Sequence, residues 1–258
     1  MFAVVKNVDS NFLGTNSDVI WQITQNNDLF YIEGDNKILT DIEELNLLVT
    51  KTKLTEKFIR KYQNKVDWGG ISIGQTLSED FIREFQDRLD WKRISIGQKL
   101  SESFIREFQD KVVWKYISME QTLSEPFIRE FQDKVDWYYI SMDQILSESF
   151  IREFQDRLDW GCISSFHALS ESFIREFQDR FNWVYISVYQ TLSESFIGEF
   201  QYRLDWEAIS ANQKLSEPFI RNFSSKVDWE CIIEYQTLSE SFMLEFQDKV
   251  YWYSRVKY

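Results

Sequence analysis

The chain is poor in proline and glycine, which interrupt helices, and in histidine and cysteine. Proline occurs only twice in 258 residues and glycine eight times, while aromatics make up 17%. A chain this aromatic has ample material for a core and is not disordered by composition. His167 is the only histidine, and Cys162 and Cys231 are the only cysteines, so no Cys/His set has metal-ligand spacing. No Walker loop, dinucleotide-binding glycine pattern or nucleophile triad occurs. The expectation is a protein that is not an enzyme and takes no metal or cofactor. No apolar run is long enough to cross a bilayer, and no cationic, apolar leader follows Met1. A soluble, intracellular protein is expected. Positive charge is also short: 29 Lys and Arg stand against 42 Asp and Glu, a net charge of −13. Simple attraction to nucleic-acid phosphates or anionic lipid is therefore not expected.

What the chain has instead is a repeat. Trp68, Trp91, Trp114, Trp137, Trp160, Trp183, Trp206, Trp229 and Trp252 follow one another at intervals of 23 residues with no insertion or deletion. A fixed period of this size marks a solenoid, in which each unit packs on its neighbours. The predicted fold class is mainly α: residues 54–258 form an α-solenoid of nine two-helix repeats, and residues 1–53 form a small N-terminal β-plus-α cap.

The second unit, Leu77 to Lys99, shows the grammar; its 23 positions are numbered here as columns. Ser78 is placed to cap a first helix, with Glu79 in the opening turn. Leu77, Phe81, Ile82, Phe85 and Leu89 then form one apolar stripe at helical spacing. Both prolines, Pro126 and Pro218, fall in column 4, where the first turn of a helix tolerates them. Asp90 reads as a second N-cap, and Trp91, Ile94, Ser95 and Gln98 fall on one face of a second helix. The spacing predicts a longer helix A, a tight turn at the Asp and a shorter helix B. Glu79, Arg83 and Asp87 follow at four-residue intervals on the outer face, which predicts exposed pairs within the helix of about 0.2–0.5 kcal/mol each. The two cysteines share a column three units apart; at about 8–10 Å per unit they lie too far apart for a disulfide, and both should be free thiols.

Outside the repeats, Ala3–Val8, Val19–Thr24 and Leu29–Glu33 are β-prone, Gln25–Asp28 suits a hairpin turn, and Asp41–Lys51 reads as a helix. Leu244, Tyr251 and the final residues depart from the unit, as a C-terminal cap would.

Columns that stay fixed within one chain build the stack; columns that vary are free for another use. Column 19 is Ser in seven of eight complete units, and column 22 is Gln in seven of eight, with His167 in the remaining slot. Polar side chains beside a packed stripe need partners, so these are expected to bond along the stack or tie down the turns, and His167 to be structural. Columns 16, 17, 20 and 21 vary most and carry Tyr116, Tyr138, Tyr139, Met142, Phe166, Tyr185, Tyr189, Tyr235 and Tyr253. Tyrosine and methionine are favoured in interface cores. A shorter helix B on the inner radius would make this face a concave aromatic groove.

The string LSESFIREFQDKV followed by DW, two variable residues and IS resembles tandem repeats in uncharacterised proteins of giant, mimivirus-like DNA viruses. The resemblance covers residues 54–258 and implies an origin, with a location in the cytoplasm of an infected host cell, more than an activity. The leading reading is a non-enzymatic scaffold that binds a protein or peptide, host or viral, along the variable face of the second helices. The alternative is an acidic nucleic-acid mimic or a single-stranded RNA-binding repeat protein, with one base stacked per unit. Net charge argues against RNA, although Lys92, Arg93 and Lys115 cluster at one end of the face.

Overall fold

The computed structural model describes the backbone of residues 19–23, 29–33 and 37–38, and residues 53–249 throughout. Strands β1 (Val19–Ile23) and β2 (Leu29–Glu33) pair antiparallel with Val19 opposite Glu33 and Ile23 opposite Leu29. They match two of the three β-prone stretches. A two-residue strand β3 (Lys37–Ile38), which the sequence pattern did not suggest, pairs antiparallel with β2. The expected strand at Ala3–Val8, the turn at Gln25–Asp28, the helix at Asp41–Lys51 and the C-terminal cap residues from 250 onward lie outside the described residues.

The chain divides into two compact bodies, Met1–Val135 and Asp136–Tyr258. In the first, helices alternate as α1 (Glu56–Lys61), α2 (Trp68–Gly74), α3 (Glu79–Glu84), α4 (Trp91–Gly97), α5 (Glu102–Glu107), α6 (Trp114–Glu120) and α7 (Glu125–Glu130). The second continues with α8 (Trp137–Asp143), α9 (Glu148–Glu153), α10 (Trp160–Phe166), α11 (Glu171–Glu176) and α12 (Trp183–Tyr189). It ends, among the described residues, with α13 (Glu194–Glu199), α14 (Trp206–Asn212), α15 (Glu217–Asn222), α16 (Trp229–Tyr235) and α17 (Glu240–Glu245). The architecture is mainly helical, with two helices per 23-residue unit, and fits a helical-repeat solenoid. No described helix is long and apolar enough to cross a membrane.

Both predicted caps are present. Ser78 Oγ accepts from Phe81 N at 3.2 Å to open α3, and Asp90 accepts from Lys92 N and Arg93 N to open α4. Pro126 and Pro218 sit at the second position of α7 and α15, within the first turn. Val113, which stands where six of the nine units have Asp, gives α6 no side-chain cap bond. Leu77, Phe81, Ile82, Phe85, Leu89 and Ile94 are buried, as the stripe requires.

Helix lengths depart from expectation. Helix α3 spans six residues and α4 seven, so the second helix of each unit is the longer. Beyond the end of α3, the groups that a longer helix would use are taken. Continuing α3 would pair Gln86 O with Asp90 N. Instead Trp91 Nε1 donates to Gln86 O at 2.8 Å, and Asp90 N donates to Ser72 Oγ of the preceding unit at 2.9 Å. The chain leaves the helix at Phe85 and closes a tighter turn, Arg88 N to Phe85 O at 2.9 Å. With helix B no longer the shorter, the inference that its face lines an inner radius loses its premise.

Cohesion between units comes from bonds repeated at every junction within each body. Trp68 stacks on Phe81 and meets Phe85 at a tilt in the following unit, with ring centroids 6.3 and 4.9 Å apart. Gln98 bridges three backbone groups: its Oε1 accepts from Leu77 N, and its Nε2 donates to Ser72 O and Gln75 O of the unit before. Gln190, Gln213 and Gln236 do the same in the second body. The buried Ser of column 19 donates to the Trp carbonyl one turn back and accepts the amide that opens the next helix B, as Ser187 does from Asp205 N at 3.0 Å. These fixed polar columns therefore do what the sequence reading required of them.

The expected Glu–Arg pairs within helices are present, as Arg60–Glu56 at 3.5 Å and Arg129–Glu125 at 3.4 Å, and are joined by shorter pairs between units. Arg83 lies 3.8 Å from Glu79 and 2.9 Å from Asp80 on its own helix, and 2.8 Å from Glu107 of the next unit. The pattern recurs as Arg152–Glu176 and Arg175–Glu199, at 2.8 and 2.9 Å. Glu79 in turn accepts from Ser101 N at 2.7 Å, so the acid of the opening turn reaches across to the next N-cap. A second rung joins Arg180 to Asp156 and Arg203 to Asp179, each at 2.7 Å.

Candidate interaction face

The variable columns all lie on the second helices, whose positions are set by the Trp, Ser and Gln bonds just described. In the second body α8 lies against α10, α10 against α12, α12 against α14 and α14 against α16, so their outward sides form a continuous face. The structure places Tyr138, Tyr139, Met142, Phe166, Tyr185, Tyr189 and Tyr235 on it. Tyr116 occupies the corresponding face of α6 in the first body, and Tyr253 lies outside the described residues.

These residues are not equally available. Phe166, Tyr189 and Tyr235 are about three-fifths exposed, at 63%, 59% and 59%, and Tyr138 is 51% exposed. Tyr185 is also exposed, whereas Tyr116, Tyr139 and Met142 are half-buried. Tyr138 and Tyr139 meet edge to face with centroids 5.3 Å apart; Tyr185 and Tyr189, one turn apart on α12, are at 6.1 Å. Val184 adds an exposed aliphatic surface that the reading of aromatics alone passed over.

Column 16 of one unit meets column 17 of the next. Lys92 of α4 sits with Nζ 5.9 Å from the ring centroid of Tyr116 on α6. The Arg93 guanidinium lies over Gly69: a Cβ there would fall 2.9 Å from Nη1. Tyr185 lies beside Gly161 in the same way, with Cε2 4.0 Å from the position a Cβ would take. Part of the variation is thus mutual fit, a glycine in one helix making room for a long side chain from the next.

Other chemistry-bearing residues are structural. His167 is buried and its Nε2 lies 2.7 Å from Ser141 O, in the slot where other units carry Gln. Burial holds its pKa below the ordinary value, against the opposing effect of that hydrogen bond. Cys162 and Cys231 are free thiols, as the column spacing required. Burial, reinforced by Asp159 and Asp228 respectively, pushes both thiols up to about 11. Neither is activated as a nucleophile. No group of three or more His, Cys, Asp or Glu that could hold a metal ion occurs among the described residues.

Comparison with known protein families, with curated proteins and with solved structures finds no match to this chain.

Proposed function

We propose that the chain is a non-enzymatic interaction scaffold that binds a protein or peptide along the outward face of its second helices. The observation that carries this reading is a division of labour. The Trp of the second helices, and the Ser and the capping Gln where they occur, are spent on bonds to neighbouring units, whereas Tyr138, Phe166, Tyr185, Tyr189 and Tyr235 are exposed on the opposite side and contribute to no repeated inter-unit bond. Exposed, rigid aromatics gathered on one face are what interface cores are made of. The acidic-mimic reading is less favoured, because carboxylates of the first helices are matched by cations of the adjacent unit. The N-terminal segment would cover the open face of the first repeat, as solenoid ends require. An origin in a giant, mimivirus-like virus, with a host or viral partner, belongs to the same proposal.

The test is affinity capture from host lysate with the intact chain and with a variant carrying Ser at positions 138, 185, 189 and 235. Loss of a specific prey with the variant supports the scaffold reading. Identical prey with both proteins contradicts it.

A further inference from the structure

We infer that the segment bound on the face of α8 to α16 is a cationic peptide whose Arg or Lys side chains dock between tyrosine rings and unpaired carboxylates. This rests on the scaffold reading and names the chemistry of its partner.

Charge is the first argument. The five second helices of this body, Trp137–Asp143, Trp160–Phe166, Trp183–Tyr189, Trp206–Asn212 and Trp229–Tyr235, contain no Lys or Arg, but they carry Asp143, Glu207, Glu230 and Glu234. The first helices of the same body are the reverse: Arg152, Arg175 and Arg221 hold Glu176, Glu199 and Glu245 in ion pairs of 2.7–2.9 Å. Glu207 and Glu230 are exposed and make no ion pair among the described residues. Glu207 and Glu230 therefore place uncompensated negative charge on the same helices that carry the exposed rings. Of the cations close by in sequence, Arg203 pairs with Asp179, Lys226 lies over the ring of Tyr202, and Lys214 follows α14 in the connecting loop.

The second argument is an internal precedent. In the first body, Lys92 of α4 places its ammonium over the ring of Tyr116 on α6, at 5.9 Å from the centroid. One of the equivalent pairs in the second body is Gly161 of α10 and Tyr185 of α12. The cation is replaced by a glycine, and the ring is left exposed beside it. A Cβ at Gly161 would stand 3.0 Å from Asp159 Oδ1 and 4.0 Å from Tyr185 Cε2, so a carboxylate and a ring edge flank the same gap. Asp159 caps α10 through Cys162 N at 2.8 Å and makes no ion pair among the described residues. A cation entering from outside finds there what Lys92 finds on Tyr116, together with an opposite charge. Such a contact is favoured electrostatically on both counts.

Geometry sets the spacing. Packed helices lie about 8–10 Å apart, which is close to three residues of extended chain. A peptide crossing α8 to α16 would present one side chain to each helix if its cations recur at every third position.

The test is fluorescence anisotropy on the full chain with a labelled, extended peptide of about twelve residues bearing Arg at every third position. A control peptide has Gln at those positions, and a third carries Glu. The Arg peptide should bind, and the Gln peptide should bind about tenfold or more weakly, the size of one or two cation–ring contacts. Gly161→Lys, which supplies the cation from within, should weaken the Arg peptide about tenfold while leaving the helical circular dichroism signal unchanged. Tyr185→Ser should do the same. Glu207→Gln with Glu230→Gln should weaken it further and flatten its salt dependence.

Equal binding of the Arg and Gln peptides, or indifference to Gly161→Lys, overturns the cationic assignment. If the Gln or Glu peptide binds and the Tyr variants abolish it, the scaffold reading stands and only the choice of partner falls. If the Arg peptide binds the wild type and the Tyr185→Ser variant alike, the attraction is general acidity, and both inferences fall. Preferential binding of a single-stranded oligoribonucleotide over the Arg peptide also overturns the proposal.

Discussion

Gln213 Nε2 donates to the carbonyl oxygen of Gln190, 2.7 Å away and one repeat earlier in the chain. The two residues occupy the same column, so each Gln holds the backbone at the foot of its predecessor. With further bonds to Ser187 O and Leu192 N, one buried amide satisfies three backbone groups where one unit turns into the next. This is why a polar column can be as constant as the Trp and Ile columns around it.

Removing such an amide should be costly. Gln190→Ala leaves Ser164 O, His167 O and Leu169 N without their partner. The expected loss is about 2–4 kcal/mol, read as a fall in the urea midpoint. A loss below about 1 kcal/mol would show that water replaces the amide readily.

The natural exception supplies the converse experiment. His167 makes one of the three bonds, to Ser141 O, and Leu146 N has no hydrogen-bond acceptor among the described residues. His167→Gln should stabilise the chain by about 1 kcal/mol, within the range for one or two regained bonds. It should also remove a pH dependence. Burial lowers the folded pKa of His167, so the unfolded chain takes up the proton first as pH falls. The stability from the neutral ring is complete above the unfolded value of about 6.5 and is lost as pH falls through it toward the lower folded pKa. Urea midpoints between about pH 7.5 and 5.5 should slope downward in the wild type and be flatter in the variant. Parallel curves would refute the assignment.

The ion-pair ladder has one double gap, and filling it should help. Gly198 stands where seven of the nine units have Arg, and Asn222 in the next unit stands where seven have Glu, so both halves of a rung are missing together. Across the same junction Lys226 Nζ lies 3.9 Å from the ring centroid of Tyr202, a cation–ring contact in place of the second rung. A Cβ at Gly198 would meet Phe223 Cζ at an ordinary 3.6 Å. Gly198→Ala should gain about 0.5–1 kcal/mol from backbone entropy alone. Gly198→Arg with Asn222→Glu should add at most about 1 kcal/mol more, since exposed pairs contribute little. Destabilisation by Gly198→Ala would mean that the close packing of Phe223 needs the glycine.

The thiols give a chemical check on burial. With both cysteines pushed up to about 11, the thiolate fraction at pH 8 is on the order of one in a thousand. Ellman's reagent should label the folded chain about a hundredfold more slowly than the urea-unfolded chain. Equal rates would place the thiols in open solvent.

The repeat unit was legible in the sequence because its signals are local. Ser78 and Asp90 cap at their own helices, Pro126 and Pro218 mark first turns, and Leu77, Phe81, Ile82 and Phe85 share one helical face. What escaped the sequence depends on contacts across units. Past the end of helix α3, Trp91 takes the Gln86 carbonyl and Ser72 takes the Asp90 amide, so the helix does not run on to Asp90. Arg83 finds Glu107 twenty-four residues on, a separation that no helical offset suggests. On the candidate face, the tyrosines were visible as variation among copies. The gap at Gly161 was not, because its meaning lies in the ring of Tyr185 from the next unit.

The most direct measurement compares two variants by urea denaturation followed by circular dichroism. One carries Ser at Tyr138, Phe166, Tyr185, Tyr189 and Tyr235; the other carries only Gln190→Ala. Serine and tyrosine have similar helix propensities, so the comparison reports on packing. If the fixed columns hold the units together and the aromatic face is free for a partner, the five substitutions together lower the midpoint less than the single loss of Gln190. A larger loss from the five would make those rings part of the stack and contradict the division of labour on which the functional reading stands.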